Sequence, residues 1–171
     1  MYINIRNVEK GDLRKVSEIT VNGWKTAYRG IIDDDYLDCL NIEENYQRRL
    51  KDYKENGFIV AEINKNIVGF CRYTLDNIFS KECKDIDCEL CAIYVEPNLK
   101  RQGIGTALFR YVLKRQKENN NKRMILWCLK ENYNSRKFYE KNGGTLYGEC
   151  EIEKGGKKYK EVGYIYNLDN I

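Results

Sequence analysis

Hydrophobic and polar positions along the chain predict short strands that alternate with amphipathic helices. Apolar residues recur at i, i+3, i+4, i+7 and i+8 within 104–112, which is typical of a helix with one buried face. Residues 13–20 carry a second helical stripe. Residues 89–95 and 124–129 are nearly continuous apolar runs, as expected of strands that are covered on both faces.

Turn residues indicate two hairpins, with Asn64-Lys65-Asn66 between the strands of 58–73 and Gly155-Gly156 between those of 145–168. Pro97 follows the strand 89–95 and stops its pairing. The other predicted elements are a strand near 3–8, a helix whose start Asp33-Asp34-Asp35 can cap, helices at 43–55 and 132–142, and a polar loop at 76–86.

The order of a first strand, a group of helices, three strands, a helix, a strand, a helix and two strands predicts an α/β protein of mixed α+β type. One mixed sheet with helices on both faces fits that order. The chain has 171 residues and contains no linker, repeat or low-complexity block. We therefore expect a single domain spanning residues 1–171.

Charge, hydropathy and cysteine content limit the kinds of partner and the cellular compartment that we expect. The 30 Lys and Arg against 26 Asp and Glu give a net charge of +4, which is too small to indicate nucleic-acid binding. No apolar run approaches the roughly 20 residues that a membrane span needs, and the first residues lack the apolar core of a secretion signal. The seven cysteines are scattered and odd in number, so we expect a reduced, cytoplasmic protein.

The chain contains no histidine. This excludes a Ser-His-Asp or Cys-His nucleophile and a metal held by histidine. Proton transfer near neutral pH must use Glu, Asp, Tyr, Cys, Lys or water. Cys88 and Cys91 form a C-x-x-C pattern, but positions i and i+3 of a strand point to opposite faces, so no metal site is predicted there.

The most informative segment is a buried strand, a short basic loop with Lys100 and Arg101, two glycines at 103 and 105, and an amphipathic helix. The first turn of a helix has unpaired N–H groups and a partial positive charge, and glycines let a ligand approach closely. These parts predict a phosphate cradle, although a plain helix entry is an alternative. A P-loop is absent, and the dinucleotide pattern would need glycine where Leu108 stands.

Residues Lys100-Arg101-Gln102-Gly103-Ile104-Gly105 resemble the acetyl-CoA motif [QR]-x-x-G-x-[GA] of the GNAT superfamily of N-acetyltransferases, with Lys100 departing at the first position. The resemblance implies acetyl-CoA as cofactor and a mostly antiparallel sheet of about seven strands with a splayed parallel pair at the cofactor site. It also implies that backbone N–H groups hold the pyrophosphate, those of Gln102, Gly103, Ile104, Gly105 and Thr106.

A second segment, Asn132 to Gly144, resembles the family pattern N-x-x-[AS]-x-x-F-Y-x-x-x-G, with departures at Asn142 and at Gly144-Thr145. The resemblance implies that Tyr139 protonates the coenzyme A sulfur and that Phe138 belongs to the core. It further implies that the C=O of Ile93 and the N–H of Val95 pair with the cofactor amides. The full set of implied cofactor-binding residues is Ile93, Tyr94, Val95, Lys100, Arg101, Gln102, Gly103, Ile104, Gly105, Thr106, Asn132 and Tyr139.

Residues 24–32 resemble a bacterial GNAT subgroup with the pattern W-x-x-A-Y-x-G-[IL]-[IL]. In this family the region lines the acceptor side, so Trp24 and Tyr28 are candidate substrate-binding residues. Ordinary core packing of both aromatic side chains is the alternative.

Glu89 is the candidate general base. It starts an apolar strand, and alternation places it on the same face as Cys91, Ile93 and Val95. It precedes Gly103 by fourteen positions, the spacing of the general-base glutamate in the histone-acetylating branch of the family. A purely structural carboxylate and a chain of water molecules are the alternatives.

The resemblance to this family therefore implies an acetyl-CoA-dependent N-acetyltransferase, and we expect direct transfer in a ternary complex. We expect the acceptor to be a small amine, a polyamine or a peptide amine, and the family makes a homodimer possible. A non-catalytic acyl-CoA sensor on the same fold is the alternative function. Asp33-Asp34-Asp35 either attracts a cationic acceptor or only caps a helix.

Overall fold

The computed structural model describes residues 2–53, 56–75 and 85–170. Within them, seven strands form one sheet in the order β1-β2-β3-β4-β5-β7-β6. The strands are β1 Asn4–Asn7, β2 Phe58–Ile63, β3 Asn66–Tyr73, β4 Cys88–Val95, β5 Arg123–Leu129, β6 Thr145–Lys154 and β7 Lys157–Asn167. The helices are α1 Leu13–Ala27, α2 Asp34–Asp38, α3 Ile42–Lys51, α4 Ile104–Glu118 and α5 Tyr133–Lys141.

Only β4 and β5 pair in parallel, and every other neighbouring pair of described strands is antiparallel. One face of the sheet packs against α1 and α3, where Val16 and Ile19 meet Phe58 and Phe70. The other face packs against α4 and α5 around Phe109. The predicted mixed, mostly antiparallel sheet with helices on both faces and a splayed parallel pair is confirmed.

Several predicted boundaries shift. The helix predicted at 43–55 ends at Lys51, and residues 54 and 55 lie outside the described part of the chain, as do residues 76–84 of the predicted loop. The last two strands run longer than predicted. Gly155 and Gly156 both have positive φ, +58° and +74°, so the chain reverses within two residues and the strands pair up to the turn.

The acidic triplet 33–35 begins α2. Asp33 is the N-cap, and its side chain accepts a hydrogen bond of 3.1 Å from the N–H of Tyr36. The same carboxylate forms an ion pair with Lys157. The capping interpretation is therefore confirmed for Asp33.

A β-bulge interrupts β4. Arg72 of β3 pairs with Ala92, whereas the next residue, Tyr73, pairs with Leu90, so Cys91 is the extra residue. One extra residue reverses the alternation of side chains along the remainder of the strand.

The bulge decides which way Glu89 points. Leu90 before the bulge and Ile93 and Val95 after it pack on the α4 side of the sheet. Glu89 therefore lies on the opposite face, which Tyr94 joins beyond the bulge. The prediction that Glu89 shares a face with Ile93 and Val95 is wrong, because it assumed an uninterrupted strand.

No described helix combines the length and the apolar character that crossing a bilayer requires.

Candidate active site

A groove of about 640 Å³ opens where β4 and β5 separate. The two strands pair only from Cys88 to Leu90, against Met124 to Leu126. Beyond that point the strands diverge. All but one of the residues predicted to bind cofactor or acceptor line this groove, namely Trp24, Tyr28, Ile93, Tyr94, Val95, Lys100, Arg101, Gly103, Ile104, Gly105, Thr106, Asn132 and Tyr139. The exception is Gln102, whose exposed side chain lies outside the lining.

The divergence leaves one edge of β4 open. The N–H of Glu96 donates to the C=O of Val68 at 2.8 Å, which fixes the side on which β4 bonds to β3. Because these bonds alternate along an antiparallel pair, the N–H and C=O groups of Ile93 and Val95 point away from β3, into the groove. The groove is thus bordered by backbone groups that an extended, amide-bearing ligand can pair with.

The N-terminus of α4 supplies donors at the adjacent end of the groove. Gly103 is the N-cap with a φ of +83°, a conformation that glycine adopts without strain. The N–H groups of Ile104, Gly105 and Thr106 form the first turn and have no acceptor within the helix. Together with the helix dipole they favour an anionic group at this position.

Two cations border this anion-favouring end. Lys100 and Arg101 are exposed residues of the loop before α4, and both line the groove. Arg101 has a φ of +65°, so the loop turns sharply just before the helix. The arrangement fits a pyrophosphate better than a single apolar ligand.

Tyr139 faces the groove from α5 and is packed against Phe109, with ring centroids 6.4 Å apart. Burial raises the pKa of its phenol well above the ordinary value, and the neighbouring Cys128 thiol adds to the effect. The hydroxyl therefore keeps its proton at neutral pH. The hydroxyl forms no hydrogen bond with a described residue, and no fully buried side-chain oxygen in that part of the chain lacks a partner, so the hydroxyl opens to the groove and its proton is available to a ligand.

Two further residues, the N-cap of α5 and one residue within that helix, also border the groove. Asn132 is buried and caps the helix, its side-chain oxygen accepting from the N–H of Ser135 at 3.2 Å. Its side-chain amide nitrogen is the atom left for a ligand. Phe138 packs edge-on against Phe109 at 5.8 Å and also borders the groove.

The opposite end of the groove is aromatic. The indole N–H of Trp24 donates to the Tyr94 hydroxyl at 2.8 Å, and the Tyr28 hydroxyl lies 3.4 Å from the same oxygen. The rings of Trp24 and Tyr28 meet edge to face, 5.0 Å apart. The side chain of Tyr94 thus belongs to this cluster on the α1 side, although its backbone lies along the open edge of β4.

Glu89 is brought near the groove but does not line it. Its side chain is 7% exposed, and its backbone is held by two hydrogen bonds to Thr74, of 2.8 and 3.1 Å. Burial raises the pKa of Glu89 to about 7, and the charge of Glu161 contributes. A carboxyl group with that pKa can exchange protons at neutral pH, through an intervening water.

Sequence reasoning missed Glu161. This residue of β7 lies opposite Leu129 of β5 and lines the groove directly. Period-two alternation puts it on the same face as Tyr159, which packs in a small core with Ile32. The sequence offers one signal, a carboxylate on the same strand face as the aromatic Tyr159, but the place of Glu161 in the groove follows only from the pairing of β7 with β5.

Two thiols also line the groove, those of Cys91 and Cys128. Burial raises the pKa of each to about 12. Because the thiolate is the nucleophilic form, neither thiol is activated for attack. Cys88 lies instead in the core beneath α4, so the C-x-x-C pair diverges.

Comparison with known proteins agrees with this geometry. The sequence model of the acetyltransferase (GNAT) family matches residues 25–144. An uncharacterized N-acetyltransferase of Archaeoglobus fulgidus is 32% identical over 139 residues, which cover 80% of this chain and 89% of that protein. The spermidine N(1)-acetyltransferase of Thermoplasma acidophilum is 27% identical over an alignment that covers 84% of this chain and 88% of that protein.

The fold is also that of a solved relative. The crystal structure of the PaiA N-acetyltransferase of Thermoplasma acidophilum, in complex with coenzyme A, superimposes with a TM-score of 0.71 at 22% identity over 97% of this chain and 100% of that one. The chain belongs to the GNAT acetyltransferase family. It is accordingly an acyltransferase that depends on acetyl-CoA, as its two motifs indicated.

Proposed function

We propose that this protein moves the acetyl group of acetyl-CoA to a primary amine by direct attack in a ternary complex. The observation that carries the proposal is the convergence, in one groove, of an open strand edge, a free helix N-terminus and a protonated tyrosine. When bound, acetyl-CoA supplies an activated acyl group, so the protein needs no nucleophile of its own. The raised pKa values of Cys91 and Cys128 support that expectation.

The residues present fit coenzyme A along its length. The first-turn N–H groups of α4 and the cations Lys100 and Arg101 suit a pyrophosphate. The backbone groups of Ile93 and Val95 suit the amides of the pantetheine arm. The side-chain amide nitrogen of Asn132 offers one more hydrogen-bond donor in the groove.

Tyr139 is assigned the role of proton donor to the sulfur that leaves. Its phenol keeps its proton in the buried site, so it can donate a hydrogen bond from the start and release the proton as negative charge develops on sulfur. The donor is available because the hydroxyl opens to the groove and forms no hydrogen bond with another described residue.

The amine must lose a proton before or during attack. Glu89 is the residue proposed to receive it through water, since it is buried and lies just outside the groove lining. Above a pH of about 7 its carboxylate is ionised and can accept the proton. A chain of waters without Glu89 remains the competing route.

The acceptor is proposed to be a small amine, with polyamines as the first class to test. The relative named as a spermidine acetyltransferase supports this choice. The groove itself offers aromatic rings and a carboxylate at the end away from α4.

The test pairs calorimetry with a thiol-release assay. We expect acetyl-CoA to bind, amines to trigger thiol release, and Tyr139→Phe to reduce kcat about a hundredfold while weakening acetyl-CoA binding by no more than the roughly tenfold that one lost hydrogen bond allows. Tyr111→Phe, a partly buried tyrosine of α4 outside the groove lining, is the matched control. Absence of binding at millimolar acetyl-CoA, or full activity in Tyr139→Phe, would contradict the assignment.

A further inference from the structure

Glu161 is a half-buried carboxylate that the transfer chemistry above does not use. Its polar contact is with the Cys150 thiol, which lies 3.9 Å from Oε2. Within residues 2–53, 56–75 and 85–170, no Lys or Arg nitrogen comes within ion-pair distance of this carboxylate. A carboxylate that has lost part of its hydration without gaining a cation is poised to bind one.

The wall beside Glu161 is aromatic. Trp127 pairs with Gly163, one same-face position along β7 from Glu161. A Cβ on Gly163 would lie 3.0 Å from Cζ3 of Trp127, so the indole ring covers the glycine, and Trp127 and Glu161 both line the groove. Trp24 and Tyr28 border the same groove from α1. Aromatic faces and a carboxylate together suit an alkylammonium ion.

The other charged groups near Glu161 are few. Lys154 of β6 lines the groove and lowers the pKa of Glu161, while burial, the larger effect, raises it. Glu89 of β4 is the nearby acid, and its pKa rises in response to the charge of Glu161. The acidic triplet 33–35 is not in the groove lining, and its Asp33 is paired with Lys157. Glu161 is therefore the carboxylate that faces the acceptor end.

We propose, building on the acetyl-transfer function above, that Glu161 selects an acceptor with a second ammonium group, an alkyl diamine or polyamine, by binding that ammonium. A carboxylate beside the reacting amine would stabilise its protonated form and oppose attack. Binding the distant ammonium avoids this effect and leaves the reacting nitrogen to Glu89 or water. The aromatic wall then holds the alkyl chain between the two nitrogens.

The experiment compares two acceptors of equal carbon length, 1,4-diaminobutane and 1-aminobutane. The wild type should prefer the diamine in kcat/KM, and Glu161→Gln should reduce that preference about tenfold. The readout is the ratio of the two kcat/KM values, because loss of the Glu161 charge also changes the pKa of Glu89 and affects both acceptors alike. Glu153→Gln is the matched control, because Glu153 is exposed and alternates in β6 with the groove-lining Ile152 and Lys154. It should keep the wild-type preference.

Calorimetric titration of 1,4-diaminobutane into the protein with coenzyme A gives a second readout that does not require turnover. Weaker diamine binding in Glu161→Gln than in Glu153→Gln supports the inference even if no amine is acetylated. The absence of any acetylated amine would overturn the proposed function and leave the role of Glu161 in diamine binding standing. Equal diamine affinity and equal preference in both variants would overturn the role of Glu161 and leave acetyl transfer standing.

Discussion

At the scale of single residues, the protein holds beside the groove a carboxyl group whose pKa lies near neutral pH. This carboxyl can do the proton transfer for which many enzymes use a histidine. Glu89 acquires that pKa of about 7 from burial and from the charge of Glu161. Its pKa is raised in the folded protein, so the proton-accepting form becomes populated as the pH rises through about 7. Because the chain has no histidine, an ionisation near 7 in the activity cannot come from imidazole.

We therefore predict that kcat/KM for a small amine increases as the pH rises through about 7, and that Glu89→Gln removes this limb. The variant should lose about a hundredfold in kcat/KM at pH 8, the contribution typical of a general base. A pH–rate profile from pH 5.5 to 9 makes the measurement. An unchanged limb in the variant would assign the ionisation to the acceptor or to water instead.

At the scale of elements, the proposed cofactor site depends on the strand–turn–helix unit from β4 to α4. Its two glycines differ in backbone conformation and in what a Cβ atom at each position would contact. Gly103 has positive φ and open space where a Cβ would lie. Gly105 lies inside the helix, and a Cβ there would stand at ordinary contact distances of 3.7 Å from Val95 and 3.8 Å from Phe138.

Alanine substitutions at the two positions should distinguish the effect of an unfavourable backbone conformation from the effect of added side-chain volume. Gly103→Ala is expected to lower the free energy of unfolding by about 1 kcal/mol and to weaken acetyl-CoA binding, since a Cβ disfavours this φ and the first-turn N–H groups shift with it. Gly105→Ala should leave stability unchanged or raise it slightly, because alanine is the better helix former. Urea unfolding and calorimetry test both, and equal losses in the two variants would contradict the distinction.

The same elements show what the sequence can predict. Helical stripes and turn residues located the strands and helices from 58 to 168, and the motif around Gly103 located the loop and helix N-terminus that border the groove. The position of the bulge, at Cys91, was not predicted, because it depends on the register of β3 against β4 rather than on any residue of β4. Glu161 was missed for the same reason, since only the pairing of β7 with β5 brings it into the groove.

At the scale of the whole molecule, the first strand is anchored by one arginine. Arg6 of β1 binds Asp12 just before α1 at 2.6 and 3.0 Å, and Glu62 of β2 at 2.7 and 3.0 Å. Hydrogen bonding to Arg6 lowers the pKa of Glu62; the pKa of Asp12 is also lowered, the hydrogen bonds to it outweighing burial. A lowered folded-state pKa contributes stability above the unfolded pKa that is lost as the pH falls.

Arg6→Met should accordingly lower the melting temperature at pH 7 by about 3 °C, corresponding to about 1 kcal/mol for a chain of this size. The difference from wild type should shrink at pH 3, where the two carboxylates become protonated in both proteins. Arg14→Met is the control, because the Arg14–Glu43 pair is about half exposed on both sides and contributes little. Thermal melts of wild type and both variants at pH 7 and pH 3 make the measurement. A decrease in melting temperature that is the same at both pH values would contradict the account.

The central claim, direct acetyl transfer to an amine, is tested most directly by intact-mass spectrometry during turnover. Protein, acetyl-CoA and 1,4-diaminobutane are mixed, and the protein, the amine and the released thiol are followed together. The account predicts one acetylated amine for each thiol released, with no acetyl group ever found on the protein. An acetylated protein that forms before the product, for instance at Cys91 in the groove, would contradict it, as would thiol release without acetylated amine.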